Sequence, residues 1–318
     1  MPSRGTELLE RLASEVLILD GAMGTMLFEA GLPPTTCPES WNDARADVIR
    51  SIHEAYLEAG ADIVETNTFG GSMLKLARRG LSTRARDLNY LGARIARSVC
   101  PPEKSVAGAI GPTGHLPDTI DEASGVSLDE MRAAFADQAV ALAEGGVDVF
   151  AIETMMVPDE AIAAIAAAKG ATGLPVMATM AFQYHAQKRL DRTHWGLSPA
   201  EVARLLLDAG ADIVGCNCGE GGPARAAAII RAMRAVTPSA LAAYPNAGTP
   251  RLVGDRPVYD LTPEAMAAAY PAILDAGARI VGSCCGSTPE HTRHIAAVVR
   301  AYLTAGERHR HADDQRPA

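Results

Sequence analysis

Apolar positions along the chain fall into short runs that recur on one plan. AGADIVETN from Ala59, GGVDVFAIET from Gly145, AGADIVGCNC from Ala209 and AGARIVGSCC from Ala276 resemble one another closely. Each reads as a helix end, a glycine turn, one polar residue, an apolar run and a polar tip. Four more apolar runs fill the gaps: VLILD (Val16 to Asp20), SVAGAI (Ser105 to Ile110), PVMATMAF (Pro175 to Phe182) and SALAAYPNA (Ser239 to Ala247). Together they give eight candidate strands.

Helical periodicity occupies the intervals, at about 43–59, 84–99, 127–144, 158–169, 198–209, 223–236, 262–276 and 289–303. Three of these begin with a capping residue, a first-turn proline and an acid: Ser198-Pro199 with Glu201, Thr262-Pro263 with Glu264, and Thr288-Pro289 with Glu290. The strands are near-continuous apolar runs, the mark of parallel strands covered on both faces. An α/β chain with a helix after each of eight strands predicts a single (β/α)8 TIM barrel over residues 1–306. A doubly wound open sheet is the alternative. Residues 307–318 are polar and unpatterned and are expected to form a disordered tail.

Composition narrows the function. The 318 residues carry a formal charge of -9, which argues against nucleic acid or an anionic membrane as partner. The most apolar stretch, Ala161 to Phe182, is interrupted by Lys169, Gly170, Gly173 and Pro175, so no transmembrane segment is expected. Six cysteines are too few for a disulfide scaffold, and Met1 to Asp20 lacks a secretory pattern. Reduced thiols and a cytoplasmic location are the expectation.

Catalysis in such barrels occurs at the C-terminal ends of the strands. The predicted tips are Asp20, Asn67, Glu153, Cys218, Asn246 and the pair Cys284-Cys285. Asp20 and Glu153 end strongly apolar runs, so each carboxylate needs a cationic or donor partner, which a ligand amine would supply. Cys218 and Cys284-Cys285 end strands six and eight, close together on a barrel rim. Neighbouring strand residues face opposite ways, so both paired cysteines reach one ion only where the chain leaves the strand, and Gly286 permits that turn. Three thiolates with an open fourth position suit a catalytic zinc ion; buried small hydrophobes are the competing reading. Cys216 is core or a neighbour of the metal site, and Cys37 and Cys100 read as structural.

Seven motifs carry a family resemblance: DGAMGT (Asp20 to Thr25), ETNTFG (Glu65 to Gly70), IGPTG (Ile110 to Gly114), Glu153-Thr154, GCNC (Gly215 to Cys218), PNAG (Pro245 to Gly248) and GSCCGSTPEH (Gly282 to His291). In this order they resemble the homocysteine S-methyltransferase family. That family includes the homocysteine module of cobalamin-dependent methionine synthase, betaine-homocysteine methyltransferase and S-methylmethionine-dependent enzymes. The resemblance spans about residues 14–303 and implies a (β/α)8 barrel. It implies Zn2+ on Cys218, Cys284 and Cys285, with Asp20 and Glu153 holding the homocysteine amino group. The amides of Gly21 and Ala22 would take the carboxylate, and Asn67 and Asn246 would support the site. The expected reaction moves a methyl group from an external donor to the zinc-bound thiolate of L-homocysteine, giving methionine. No general base is needed at the sulfur once it is bound.

The segment FQYHAQKRLDRTHW (Phe182 to Trp195), Gly219-Glu220-Gly221 and Ser283 depart from the family pattern around the mouth, where the donor approaches. No folate or cobalamin domain is expected within these 318 residues, which leaves two donors open: a separate methyl-corrinoid protein, or a small methylated sulfonium or ammonium compound. Trp41, Tyr184 and Trp195 could surround an onium methyl group, with His185 and His194 nearby; each is equally explained by packing or a surface loop. His291 and His294 read as helix-surface residues rather than a second metal site. A homocysteine- or thiol-binding subunit of a corrinoid-dependent demethylation system, or a non-catalytic regulatory barrel, is the alternative function. A Cys284-Cys285 redox disulfide is disfavoured by ring strain.

Overall fold

The protein is described here by a computed structural model covering residues 3–123, 125–253 and 256–314, with backbone only for 252–253, 256–257 and 306–314. Eight parallel strands form one sheet: β1 (Leu17–Ile18), β2 (Ile63–Glu65), β3 (Ser105–Ile110), β4 (Val149–Met155), β5 (Val176–Met180), β6 (Ile213–Asn217), β7 (Ala240–Tyr244) and β8 (Ile280–Val281). Neighbours in the sheet are neighbours in sequence, and β8 pairs with β1. The ring closes between β1 and β2 through the Leu19–Ile63 bridge, where Asp20 N donates to Ile63 O at 3.0 Å and Asp62 N to Ile18 O at 2.7 Å. The predicted (β/α)8 barrel is thus the observed one. No helix of the described residues is long and apolar enough to cross a membrane.

Side-chain parity divides the core into two layers. Leu17, Leu19, Ile63, Ala107, Val149, Ala151, Met177, Ile213, Ala242, Tyr244 and Ile280 fill the barrel interior. The alternate residues Val64, Phe150, Ile152, Val214, Cys216 and Val281 face the surrounding helices. An N-terminal helix that the periodicity did not reveal, Arg4–Arg11, places Leu8 and, just beyond its end, Leu12 against the interior cluster and so plugs the bottom of the barrel. Its eight residues are too short for a clear helical period.

The helices follow their start signals. Ser198 and Glu201 form a reciprocal capping box, with Ser198 N donating to Glu201 Oε2 at 2.7 Å. At Thr288 the reciprocal acceptor is His291, whose Nδ1 takes the Thr288 amide at 3.2 Å while Nε2 lies 3.1 Å from Leu261 O. His291 is therefore a capping residue. His294 lies beside Glu290 (3.1 Å), on the same helix.

Two helix boundaries differ from expectation, and two hairpins appear. The helix anticipated at 262–276 is two, Pro263–Ala267 and Tyr270–Asp275, because Pro271 has no amide to continue the ladder. The last helix runs Pro289–Asp314, so 307–314 extend it instead of forming a structureless tail. Polar composition there does not stop a helix when no proline intervenes before Pro317, and 315–318 lie outside the described residues. The unusual segment after β5 is an antiparallel hairpin, Gln183–His185 with Leu190–Arg192. A second hairpin follows β7, Arg251–Val253 with Arg256–Val258.

His53, on helix Ala46–Ala59, is fully buried with neither ring nitrogen bonded. Burial pushes its pKa down from 6.5 to about 4. The unfolded chain therefore takes up a proton near pH 6.5 that the folded chain refuses until about pH 4. The stability contribution is complete above pH 6.5 and is lost as pH falls through this window, amounting to about 3 kcal/mol. Urea unfolding at pH 7 and pH 4.5 should show a smaller acid loss for His53→Leu than for wild type; equal losses would refute the assignment.

Candidate active site

Parity carries polar residues to the top of the interior. After Ile63 the next inward position is Glu65; after Val149 and Ala151 it is Glu153; after Ile213 and Gly215 it is Asn217. Tyr244 closes the floor. Its hydroxyl lies 3.0 Å from Thr179 Oγ1, which donates to Asn217 Oδ1 at 2.7 Å. Asn217 is the hub above this floor. Its Oδ1 also accepts Thr154 N at 2.8 Å, and its Nδ2 donates to Glu153 Oε2 at 3.1 Å and Thr154 Oγ1 at 2.7 Å.

Two residues at the strand ends take backbone conformations that a side chain resists. Thr154 has φ 56° and Cys218 has φ 50°, each costing on the order of 1–3 kcal/mol unless its surroundings impose it. Asn217, the residue directly before Cys218, bonds both the amide and the hydroxyl of Thr154. The left-handed turn at Cys218 ends the alternation of β6. Cys216 therefore stays in the outer core, and Cys218 does not share its side of a continuing strand. Asn246 Nδ2 donates to Gly219 O at 3.1 Å, and Glu220 N donates to Phe182 O at 2.9 Å, bracing this turn.

The partner turn follows β8. Cys284 N donates to Pro245 O at 2.8 Å, Ala247 N to Cys285 O at 3.0 Å, and Ser287 Oγ to Cys284 O at 2.7 Å. Gly286 has φ 83°, and a Cβ there would fall 2.1 Å from the Tyr259 ring. Conformation and space both require glycine. The two turns bring Cys218, Cys284 and Cys285 together, with every pair of sulfurs within 4.8 Å. The separations are 2.8 Å for Cys218–Cys284, 3.7 Å for Cys218–Cys285 and 3.9 Å for Cys284–Cys285. This is the one group among the described residues placed to hold a metal ion. Hydrogen bonds from Cys218 and Cys284, with help from Tyr259, pull the Cys285 thiol down to about 3. Cys284, which donates to Cys218 and Cys285, is pushed well above the ordinary thiol value. A cation is needed before all three can ionise together.

Beside the thiols lie three acids, Asp20, Glu65 and Glu153. Burial raises all three, Glu65 to about 8, and the Glu65 charge pushes Asp20 and Glu153 higher still. Cys285 also raises Glu153, so thiols and acids share one electrostatic site. Asp20 Oδ1, Glu65 Oε1, Asn246 Oδ1 and Ser283 Oγ are buried here without a hydrogen-bond partner. Unsatisfied buried groups are costly, and this set, gathered beside the thiols, is suited to receive a polar ligand.

The remaining expected residues fall as follows. Gly21 lies against Ser287 and Ser283, whose hydroxyls are 2.7 and 3.0 Å from where its Cβ would stand. The Ala22 amide already donates to Ser287 Oγ at 3.1 Å. Asn67 commits its amide hydrogens to Pro38 O (2.9 Å) and Asn42 Oδ1 (3.0 Å), supporting the loop. Strand β2 ends at Glu65, so strand parity does not reach Asn67. The aromatic surround does not assemble: Trp41 is buried in the outer core, Arg225 covers the Tyr184 ring at 4.0 Å, and Trp195 is exposed with His194 at its edge. His185 and His194 are surface residues. Arg225 also pairs with Asp191, fastening the hairpin to helix Gly222–Arg234. Cys37 donates to Glu39 at 2.9 Å, and Cys100 is core.

Sequence reasoning missed Glu65, Asn217 and Tyr259. Parity pointed to the first two; nothing local marks Tyr259, which reaches Cys285 from the loop after the second hairpin.

The family model for homocysteine S-methyltransferase matches residues 17–299. Methionine synthase of Mycobacterium leprae is 34% identical over 324 residues, covering 96% of this chain and 26% of that protein. Methionine synthase of Mycobacterium tuberculosis is 34% identical, covering 92% of the chain and 25% of the relative. The chain thus spans about a quarter of the length of these curated relatives. Among solved structures, the metallated homocysteine methyltransferase MmuM of Escherichia coli superposes with TM-score 0.74 at 23% identity, covering 93% of this chain and 99% of that one. At that identity the likeness is one of fold.

The Gly286 turn can be tested by substitution. Gly286→Ala should lower stability by about 1–3 kcal/mol in urea. Gly170→Ala, in a helix with open space around it, should raise stability by about 0.5–1 kcal/mol. A neutral Gly286→Ala would show that the turn does not depend on glycine.

Proposed function

The chain belongs to the homocysteine S-methyltransferase family, and from that premise we propose that it binds zinc through Cys218, Cys284 and Cys285 and methylates L-homocysteine to methionine. The observation that carries the proposal is one cleft holding both a three-thiol cluster and buried acids with unpartnered oxygens. A substrate bearing a thiol and an ammonium answers both.

The donor set fits zinc. Sulfurs arranged tetrahedrally about zinc at about 2.3 Å lie about 3.8 Å apart, near the observed 3.7 and 3.9 Å. The 2.8 Å Cys218–Cys284 separation must widen on loading. Bound zinc would keep a thiol ionised at neutral pH. The chain's own residues do the rest by positioning. Asp20 and Glu153 hold the ammonium, and Asn217 fixes Glu153 while lying 3.9 Å from Cys284 Sγ. Gly21 and Ser283 receive the carboxylate, with Ala22 backed by Ser287. Asn246 steadies the Cys218 turn.

The methyl donor reaches the sulfur from the open face. Phe28, Phe69, Met73, Leu116, Ile120, Met156, Leu190 and Trp195 are exposed, and all lie in segments following β1 to β5. That apolar rim, with Trp41, Tyr184 and Trp195 not gathered about the thiols, favours a methyl-corrinoid presented on a protein surface over a small sulfonium or ammonium donor.

The zinc-loaded protein should be assayed for methionine from homocysteine with S-methylmethionine, betaine, S-adenosylmethionine, methylcobalamin and a methyl-corrinoid protein. Methionine should form, fastest with the corrinoid donors, and Cys218→Ser should abolish both zinc retention and turnover. Failure with every donor despite tight homocysteine binding would move the function to a thiol-binding subunit.

A further inference from the structure

Buried acids elsewhere among the described residues each accept at least two hydrogen bonds. Glu39 accepts Gly70 N at 2.6 Å and the Cys37 thiol at 2.9 Å. Glu160 accepts the Thr113 amide at 2.8 Å and its hydroxyl at 2.6 Å. Asp148 is held by Arg4, Arg97 and the Val106 amide, each at 2.8 Å. These are the partners that make a buried carboxylate affordable in a fold.

Glu65 differs. Among the described residues no side chain or amide bonds its carboxylate, and Oε1 is buried without a partner. The residue retains partial exposure although it sits deep in the barrel mouth, so it faces the cleft and not packed protein. Its backbone amide donates to Asp20 Oδ2 at 2.9 Å, which leaves Asp20 Oδ1 unpartnered beside it. Glu153, held from the other side by Asn217, completes the group. Nothing in the fold uses the Glu65 charge, while its repulsion acts on both neighbours.

We infer that Glu65 is a substrate-binding residue, the third carboxylate of a tripod that receives the three N–H bonds of the homocysteine ammonium together with Asp20 and Glu153. An ammonium presents three donors and no acceptor, so three converging acids match it and select an α-amino thiol over a plain thiol. The inference rests on the homocysteine reading and deepens it.

The test separates the two ideas. Zinc-loaded wild type and Glu65→Gln are titrated calorimetrically with L-homocysteine and with 4-mercaptobutyrate, the same thiol acid without its amine. Wild type should prefer homocysteine strongly. Glu65→Gln should lose about 10- to 100-fold in homocysteine affinity, keep its zinc and bind 4-mercaptobutyrate within about twofold of wild type. Thermal unfolding of the ligand-free variant should occur at equal or higher temperature, because one of three repelling acids is gone. Equal weakening toward both ligands, or no weakening toward either, would overturn the Glu65 assignment. Wild type that does not distinguish the two ligands would overturn the homocysteine reading instead. Should Glu65→Gln not fold, Glu65→Asp shortens the acid while keeping its charge and should show the same ligand-selective loss.

Discussion

Asp20, Glu65, Glu153, Cys218, Cys284 and Cys285 meet at one end of the barrel, and no lysine or arginine among the described residues bonds to any of them. Confining six acidic groups in a poorly solvated cleft is unfavourable by itself, as the raised carboxyl values record. On the function proposed above, two external cations would relieve this repulsion: a metal ion on the thiols and an ammonium on the acids. Homocysteine, the proposed substrate, would complete both halves, since it bears both an amine and a further sulfur. The closeness of Cys285 and Glu153 makes the halves interdependent.

The barrel supplies the rigidity this needs. Interior residues from Leu8 to Tyr244 pack the lower barrel solidly, so the inward positions at the strand ends have one direction to face. Asn217 then links floor, acid and thiol through contacts to Thr179, Glu153 and Cys284. The strained backbones at Thr154 and Cys218 are held by that framework; the turn at Cys218 carries the first thiol out of strand alternation, while Glu153 keeps its inward parity. Selection of a left-handed turn at Gly286 does the same for the cysteine pair.

Eight apolar runs separated by helical patterns were legible as a closed barrel because hydrophobic period and turn glycines state it locally. The thiol cluster was legible too, since Cys284-Cys285 can converge only where a strand stops, and Gly286 marks that stop. Asn67 illustrates the limit. Its motif suggested a site residue, but β2 ends two residues earlier and the side chain joins the Asn42 network. Glu65, in the same motif, was overlooked although counting by twos from Ile63 reaches it. Tyr259 and the hairpin at 183–192 depend on tertiary placement, which no local pattern encodes. The break before Tyr270 came from a proline that was visible but outweighed by the surrounding alanines.

The proposed function requires zinc and the substrate sulfur to meet at one centre. X-ray absorption at the zinc edge, with and without L-homocysteine, tests that directly. Three sulfur ligands at about 2.3 Å should become four on adding homocysteine, with a lighter ligand lost. A protein that retains no zinc, or a sulfur count that does not change with homocysteine, would contradict it.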